Sequence, residues 1–362
     1  MSMQNALLST AKGAPFKLGT RPIPTPGPKQ VLVKNLAVAV NPVDDAIQKS
    51  GFMSDPFGYP AVGGSDAAGT VAGLGEGVVN WSVGDRVLYQ GYWPPDRATF
   101  QEYTVADADR IAKIPAGMSY EQAATVPLGL ATAAVGLYAP FVAFGERCGG
   151  GLLAPWEAGG RGEYSGKPAL VLGGSSSVGQ YEGPAAIQLL KLSGFDPIIA
   201  TSSAHNVGYC KAAGATHVID YKATPYDELA KAVAEITQKP IPVVYDAISF
   251  PETQKAGWAI LAPGGVMVVT LGPSVARAGE QTEDGKRLAR VGAVIGAGPN
   301  AGFAARMYEF VTDMLEKGDI KPNNVELLPG GLAGLLAGVE RSSLSTQGVS
   351  GVKLVARLDE GQ

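Results

Sequence analysis

Apolar and polar positions fall into two rhythms along the chain. Over residues 31–40 an apolar, largely β-branched run ends at the turn pair Asn41-Pro42, which predicts a strand stopping there. Residues 44–50 follow as a helical stretch. Between residues 62 and 87 glycine recurs every few positions among short apolar pieces, as in strands that bend tightly or approach another backbone closely. A small twisted β-domain is expected. After Lys167 short apolar strands alternate with helical segments, the signature of a doubly wound parallel sheet. Its six strands are predicted at 168–173, 197–201, 217–220, 242–246, 266–271 and 291–295. Residues 139–166 are glycine-rich and weakly patterned, and read as a long loop at the domain junction. A helix is expected over 303–317 and a final alternating strand over 352–358, with the tail returning to the first domain. The domains are placed at 1–136, 137–307 and, for the return, 308–362. No internal repeat is evident.

The stretch 123–145 runs 23 residues without a charge, long enough to cross a bilayer. Thr125, Pro127, Gly129, Thr132, Gly136 and Pro140 dilute its apolar content, and no basic cluster flanks it. It reads as a buried helix between domains. The 362 residues, 46% hydrophobic and 17% charged, suffice for two domains with their own cores. A net charge of −4 offers no basic stripe for nucleic acid or an anionic membrane surface, so a small molecule is the expected partner. Cys148 and Cys210 stand far apart, form no CxxC motif and read as ordinary thiols in a reducing compartment. Residues 1–12 lack a basic region followed by a long apolar one; no signal peptide and a cytoplasmic location are expected.

The most specific chemistry lies in Gly173-Gly174-Ser175-Ser176-Ser177-Val178-Gly179, which follows an apolar strand and opens a helical stretch. Gly174, Ser176 and Gly179 fall on the G-x-G-x-x-G spacing, with Ser176 a departure at the middle position. Backbone N–H groups at the start of such a helix face a pyrophosphate. A site for NAD would place Asp or Glu about 20 residues further on, to hold the ribose 2′-hydroxyl. Here Thr201-Ser202-Ser203-Ala204-His205-Asn206 stands instead. Its hydroxyls and amide could donate to a 2′-phosphate, with Lys211 or Lys222 supplying charge, or could simply cap the next helix. NADPH is the expected cofactor.

Asn41-Pro42-Val43-Asp44, the block 64–71 from Gly64-Ser65-Asp66 onward, Gly84-Asp85-Arg86-Val87, Glu121-Gln122-Ala123-Ala124 and Gly214-Ala215 before Asp220-Tyr221 together resemble the medium-chain dehydrogenase/reductase superfamily. The likeness is to its quinone-reductase-like branch, and in particular to fungal trans-acting enoyl reductases that serve polyketide synthases. It rests there on Gly173-Gly174-Ser175, Ser203-Ala204-His205-Asn206, the junction loop before Lys167-Pro168 and the ending Ser350-Gly351-Val352-Lys353-Leu354. The resemblance implies an α/β protein with a GroES-like β-barrel catalytic domain and a six-stranded Rossmann sheet. It implies hydride transfer to an activated C=C bond or a quinone. Carried over by position, Gly173, Gly174, Ser175, Ser176, Ser177 and Val178 meet the pyrophosphate. Thr201, Ser202, Ser203, His205, Asn206 and Tyr221 meet the adenosine 2′-phosphate end, and Leu271 and Gly272 the nicotinamide. Val43, Asp44 and Lys353 complete the cofactor set, and Thr132 lies beside nicotinamide and substrate. A polyketide synthase is the implied protein partner, with the chain acting as monomer or as a homodimer joined through edge strands near 266–271 and 291–295.

Zinc members of the superfamily carry a cysteine after the first-domain strand and Gly-His-Glu where this chain has Gly64-Ser65-Asp66. The only histidines, His205 and His217, lie in the Rossmann half, so no conventional catalytic zinc site can be assembled in the other half. Some similar enoyl reductases place a lysine near the substrate at the position of Ala46. Tyr92 is the candidate proton donor, because a phenol can hydrogen-bond a developing enolate, or it is an aromatic packed beside Trp93. Tyr59 is a weaker candidate. Asp66, Asp85 and Arg86 read as structural groups at glycine-rich bends. Carbonyl reduction, or NADPH binding without turnover as partner of a larger synthase, are the alternative functions.

Overall fold

The computed structural model describes residues 2–143, 145–175, 182–343 and 349–358. The chain forms two compact units, one of Met1–Leu128, Val294–Gly318 and Pro322–Gln362, the other of Gly129–Ala293 and Asp319–Lys321.

The second unit is built on six parallel strands: Ala169–Leu172, Ile198–Ser202, His217–Asp220, Ile241–Asp246, Leu261–Val269 and Arg287–Arg290. Numbered as they occur in the chain, they lie in the spatial order 3-2-1-4-5-6, that of a dinucleotide-binding sheet. Such a sheet is covered on both faces, and its inner strands accordingly read as unbroken apolar runs. Ala-Leu-Val-Leu of the first strand is wholly buried, and Leu170 and Leu172 each contribute about 1.5–3 kcal/mol of transfer free energy.

The sixth strand departs from expectation. Residues 291–295 attract attention for their β-branched side chains, but the strand is Arg287–Arg290 and the chain then leaves the sheet. Gly292 turns there against the side chain of Arg147, where a Cβ would lie 2.4 Å from its Cδ. The outer edge of this strand is covered by its own chain. Gly279 N–H donates to Leu288 O (2.9 Å), Leu288 N–H to Glu280 O (3.2 Å) and Cys148 N–H to Arg290 O (2.9 Å). The fifth strand begins earlier than expected and ends at Val269, which leaves Leu271 and Gly272 in the loop beyond it.

The first unit centres on Gln30–Ala39. One edge of this strand pairs with Asp66–Leu74; the other takes Tyr103–Asp107 along its first half and Lys353–Arg357 along its second. Arg86–Gln90 and Ile111–Lys113 extend one side and Val325–Leu328 the other. Gly69 is required where the strands shift register, since a Cβ would lie 2.0 Å from Lys34 O. Buried Asn35 ties the central strand to its surroundings: its amide donates to Gln101 O (2.8 Å) and Thr104 Oγ1 (2.9 Å), and its oxygen accepts from Tyr89 Oη (2.6 Å). A separate three-stranded sheet of Met3–Ser9, Lys17–Pro22 and Ala61–Val62 has no counterpart in the sequence pattern.

The uncharged stretch 123–145 holds two helix segments rather than one continuous helix. Tyr120–Ala124 stops before Pro127, and Pro127–Tyr138 stops before Pro140, because proline cannot continue the hydrogen-bond ladder. Among the described residues no helix is long and apolar enough to cross a membrane.

Candidate cofactor and active site

In the second unit the glycine turn lies where the strand order reverses, between the first and fourth strands, the position at which open α/β sheets bind ligands. Gly173 has φ +78°, which favours glycine. The helix Glu182–Leu192 approaches so closely that a Cβ on Gly183 would lie 2.2 Å from Gly173 O. Gly183, not flagged by the sequence reading, thus makes a close helix–strand contact. Gly179, expected in that role, and Ser176, Ser177 and Val178 lie outside the described residues.

Thr201, expected at the 2′-phosphate end, is bonded to the glycine turn. It is fully buried, its hydroxyl accepts from Gly173 N–H (3.0 Å) and its carbonyl accepts from Gly174 N–H (2.8 Å). Its polar atoms hold the turn rather than face solvent. Ser175 and Ser202 bond the buried Cys210 thiol beneath the turn; burial pushes that thiol's pKa up and the two hydroxyls oppose the shift.

Beyond the second strand Ser203 and Asn206 are buried and His205 is exposed. Ser203 Oγ lies 3.4 Å from His205 Nε2 and accepts from Asn206 Nδ2 at 3.4 Å. Tyr221, more than a third exposed, stacks on Tyr226 with ring centroids 6.3 Å apart. The register partner of Ser202 is Asp220, whose carboxylate accepts Lys222 N–H at 3.0 Å. Lys211 and Lys222 are exposed.

A polar network at the ends of the fourth and fifth strands went unread in the sequence. Fully buried Asp246 accepts from Ile248 N–H (3.0 Å), Ser249 N–H (2.7 Å) and Thr253 Oγ1 (2.7 Å). Burial raises its pKa to about 6 against the pull of these donors. Gln254 bridges onward to Gly272 and Ser274. No spacing motif marks these residues; the only cue was their place after an apolar strand. Thr132 is buried on the helix Pro127–Tyr138.

In the first unit, residues 41–66 and the returning tail build a buried ionic cluster. Lys353 Nζ lies 2.9 Å from Asp66 Oδ2 with both side chains inaccessible to solvent, and it also donates to Asn41 Oδ1. Asp66 accepts further from Asn41 Nδ2 (3.0 Å) and Leu128 N–H (2.7 Å). Asp44, at the start of the helix Pro42–Ser50, accepts from Asn41 N–H (2.8 Å) and Ser65 Oγ (3.2 Å). Burial pushes its pKa up to about 7, the nearby Asp66 carboxylate adding to the rise while the Asn41 N–H, Lys353 and Ser65 oppose it. Val43 is half-buried and Ala46 exposed on the same helix.

Tyr92 is half-buried, with Oη 3.4 Å from Asp107 Oδ2 and the Arg97 guanidinium 5.0 Å from its ring centroid. Burial, with Asp107 alongside, raises its pKa to about 12. Gly296 lies flat against the ring, where a Cβ would be 1.9 Å away. Tyr59 is exposed at its hydroxyl and bonds Asp55 at 2.6 Å. Asp85 accepts Ser82 N–H (2.9 Å) within its turn, and Arg86 donates to Met118 O (2.6 Å), a contact between distant segments.

Residues 27–116 match the alcohol dehydrogenase GroES-like domain, and residues 183–294 match the zinc-binding dehydrogenase family. The trans-enoyl reductase caaB of Aspergillus niger is 32% identical over 378 residues, covering 98% of this chain and 97% of that protein. The chain belongs to the medium-chain dehydrogenase/reductase superfamily, in its enoyl- and quinone-reductase-like branch. The enoyl reductase component lovC of the lovastatin nonaketide synthase, from Aspergillus terreus, is 31% identical over 350 residues, covering 91% of this chain and 89% of that one. A mycobacterial protein solved in complex with NADPH superposes with a TM-score of 0.72 at 25% identity, over 98% of this chain and 99% of that chain.

The zinc named by one of these families does not fit the residues at the corresponding place. Ser65 is bonded to Asp44, Asp66 is paired with an ammonium, and among the described residues no group of three or more His, Cys, Asp or Glu could hold a metal ion.

Proposed function

We propose that this chain is an NADPH-dependent, zinc-independent oxidoreductase that reduces an activated C=C bond, enoyl or enone, or a quinone, by hydride transfer. One observation carries the reading: the glycine turn, clamped by Thr201 and closed against Gly183, stands at the switch point of a 3-2-1-4-5-6 sheet whose second strand leads into Ser202-Ser203 rather than a carboxylate. Glycine at 174 lets the turn pack tightly on the sheet, since a Cβ there would lie 2.8 Å from that of Ala200, and a tight turn of this kind is what a dinucleotide-binding site requires.

Gly173, Gly174 and Ser175 would hold the pyrophosphate, together with Ser176, Ser177 and Val178. Ser203, His205, Asn206 and Tyr221 would receive the 2′-phosphate, for which hydroxyl, imidazole and amide groups are suitable donors. Leu271, Gly272 and Thr132 would border the nicotinamide. Asp44 and Lys353 would act from inside their cluster by fixing the turn that carries Asn41 and Val43. When bound, the cofactor supplies a hydride to the electron-poor carbon of the substrate. The chain's own task is placement. Tyr92, whose hydroxyl lies 3.4 Å from Asp107 Oδ2, would hydrogen-bond the developing enolate, and it or water would supply the proton that completes the reduction. The likeness to lovC supports an acyl chain carried by a polyketide synthase as substrate.

The test is to mix the purified protein with NADPH or NADH and a panel of enoyl thioesters, enones and quinones, and to follow the nicotinamide absorbance. NADPH-selective loss is expected, with an enal giving the saturated aldehyde; an allylic alcohol would indicate carbonyl reduction instead. Inertness across the panel would refute the proposal.

A further inference from the structure

We infer that Gln254 positions the Leu271-Gly272 segment and, through it, the nicotinamide end of the cofactor, an inference that rests on the cofactor reading above. Gln254 is fully buried on the helix Pro251–Ile260. Its Nε2 donates to Ser249 O (2.9 Å) and to Gly272 O (2.9 Å), and its Oε1 accepts Ser274 N–H (2.8 Å). Two acceptors on one side and a donor on the other fix the amide's orientation. One side chain therefore staples the loop after the fifth strand to the loop after the fourth.

The anchor on the other side is itself held. Ser249 sits at φ +59°, an uncommon conformation for a residue with a Cβ. Its Oγ donates to Asp246 O (2.7 Å) and accepts Thr270 N–H (2.8 Å), while Asp246 receives the Ser249 N–H. Alternate residues 270, 272 and 274 are thus tied to the neighbouring loop, so the backbone between them has little freedom. Gly272, at the middle of this tether, faces open space: a Cβ there would meet no heavy atom within 4 Å. The segment is held from behind and left clear in front, as a wall against a flat ring requires. Without the Gln254 amide, two carbonyls and an N–H would lose their partners together.

The experiment compares two ligands by calorimetry: NADPH, and adenosine 2′,5′-bisphosphate, which lacks the nicotinamide. Gln254→Leu is expected to weaken NADPH by roughly tenfold or more, the scale of lost buried hydrogen bonds, with the bisphosphate changed by less than about twofold. Gln254→Glu provides a second reading should the leucine variant not fold. Its carboxylate would face two carbonyl oxygens at neutral pH, and protonation would restore one donor. The ratio of variant to wild-type Kd for NADPH should therefore fall as pH is lowered from 8 to 5. Equal weakening of both ligands, no weakening of either, or a ratio independent of pH would overturn the inference. If the wild-type protein binds neither ligand, the cofactor reading fails, and the inference with it.

Discussion

The sharpest quantitative consequence concerns Asp44. Its carboxyl is pushed from 3.8 to about 7, chiefly by burial and further by the Asp66 carboxylate, against the Asn41 N–H, Lys353 and Ser65. A carboxyl whose folded pKa lies above its unfolded value holds its proton more tightly in the folded state. Its effect on stability is therefore most favourable at low pH and is lost as pH rises from about 4 to about 7, after which it levels. A rise of some three units at about 1.4 kcal/mol each makes this loss about 4 kcal/mol. Asp44→Asn removes the titration while keeping the shape: the amide oxygen can accept Asn41 N–H, and the amide nitrogen can donate to Ser65 Oγ. Denaturant unfolding at pH 5 and pH 8, followed by tryptophan fluorescence, should show the variant gaining about 3 kcal/mol on the wild type between the two pH values. A stability difference that is equal at both, or that moves in favour of the wild type as pH rises, would refute the reasoning.

Lys353→Met should destabilise the first unit by about 3–5 kcal/mol, because it strands a buried carboxylate; Lys353→Met/Asp66→Asn should recover most of that loss in a double-mutant cycle. Gly183→Ala should weaken dinucleotide binding by roughly tenfold or more, since its Cβ would meet Gly173 O at 2.2 Å, whereas Gly208→Ala, with no heavy atom within 4 Å, should bind normally in the same calorimetry. Ser203→Asp should shift the ratio of kcat/KM values from NADPH toward NADH, through repulsion of the 2′-phosphate and attraction of the free ribose hydroxyls; an unchanged ratio would remove Ser203 from that end of the site.

The parallel sheet was legible because strands buried on both faces leave continuous apolar runs, and because the glycine turn sits at the first of them. The exception is instructive. Arg287-Leu288-Ala289-Arg290 carries charge at both ends, being an outer strand, and the β-branched residues after it drew the assignment past its end. Of the N-terminal strands, Lys17–Pro22 is nowhere fully buried and carries no apolar face to read, while Met3–Ser9 buries Gln4 and Ser9 alongside Ala6, which interrupts the apolar alternation. In the site, the glycines were visible as a local spacing. The bonds of Thr201 to the glycine turn were not legible, because position along the chain does not reveal which way a strand-end hydroxyl points. Gln254 and Asp246 act through contacts made across the fold, and an isolated glutamine or aspartate carries no local pattern that announces such a contact; Lys353 stands out only through the family resemblance of its segment, which does not reveal its pairing with Asp66.

The proposed zinc independence rests more firmly on the Lys353 cluster than on missing ligands alone. Two carboxyls and one ammonium share the buried space: Asp66 is paired with Lys353, and Asp44, with a pKa near 7, carries its proton over much of the range below neutrality. In that state the cluster is neutral, one ammonium against one carboxylate. Seating a divalent cation there would require Asp44 to ionise, Ser65 to give up its bond to Asp44, and the Lys353 ammonium to leave Asp66 for a position without a counter-charge. Each change costs desolvation or an unpaired buried charge. The ammonium supplies the positive charge that these carboxyls need, and it is fixed to the last strand of the sheet by a covalent chain rather than by equilibrium with solution. Treatment with a strong chelator, followed by NADPH turnover, should accordingly leave the rate unchanged; loss of activity that returns on adding zinc would show that the cluster opens to a metal after all.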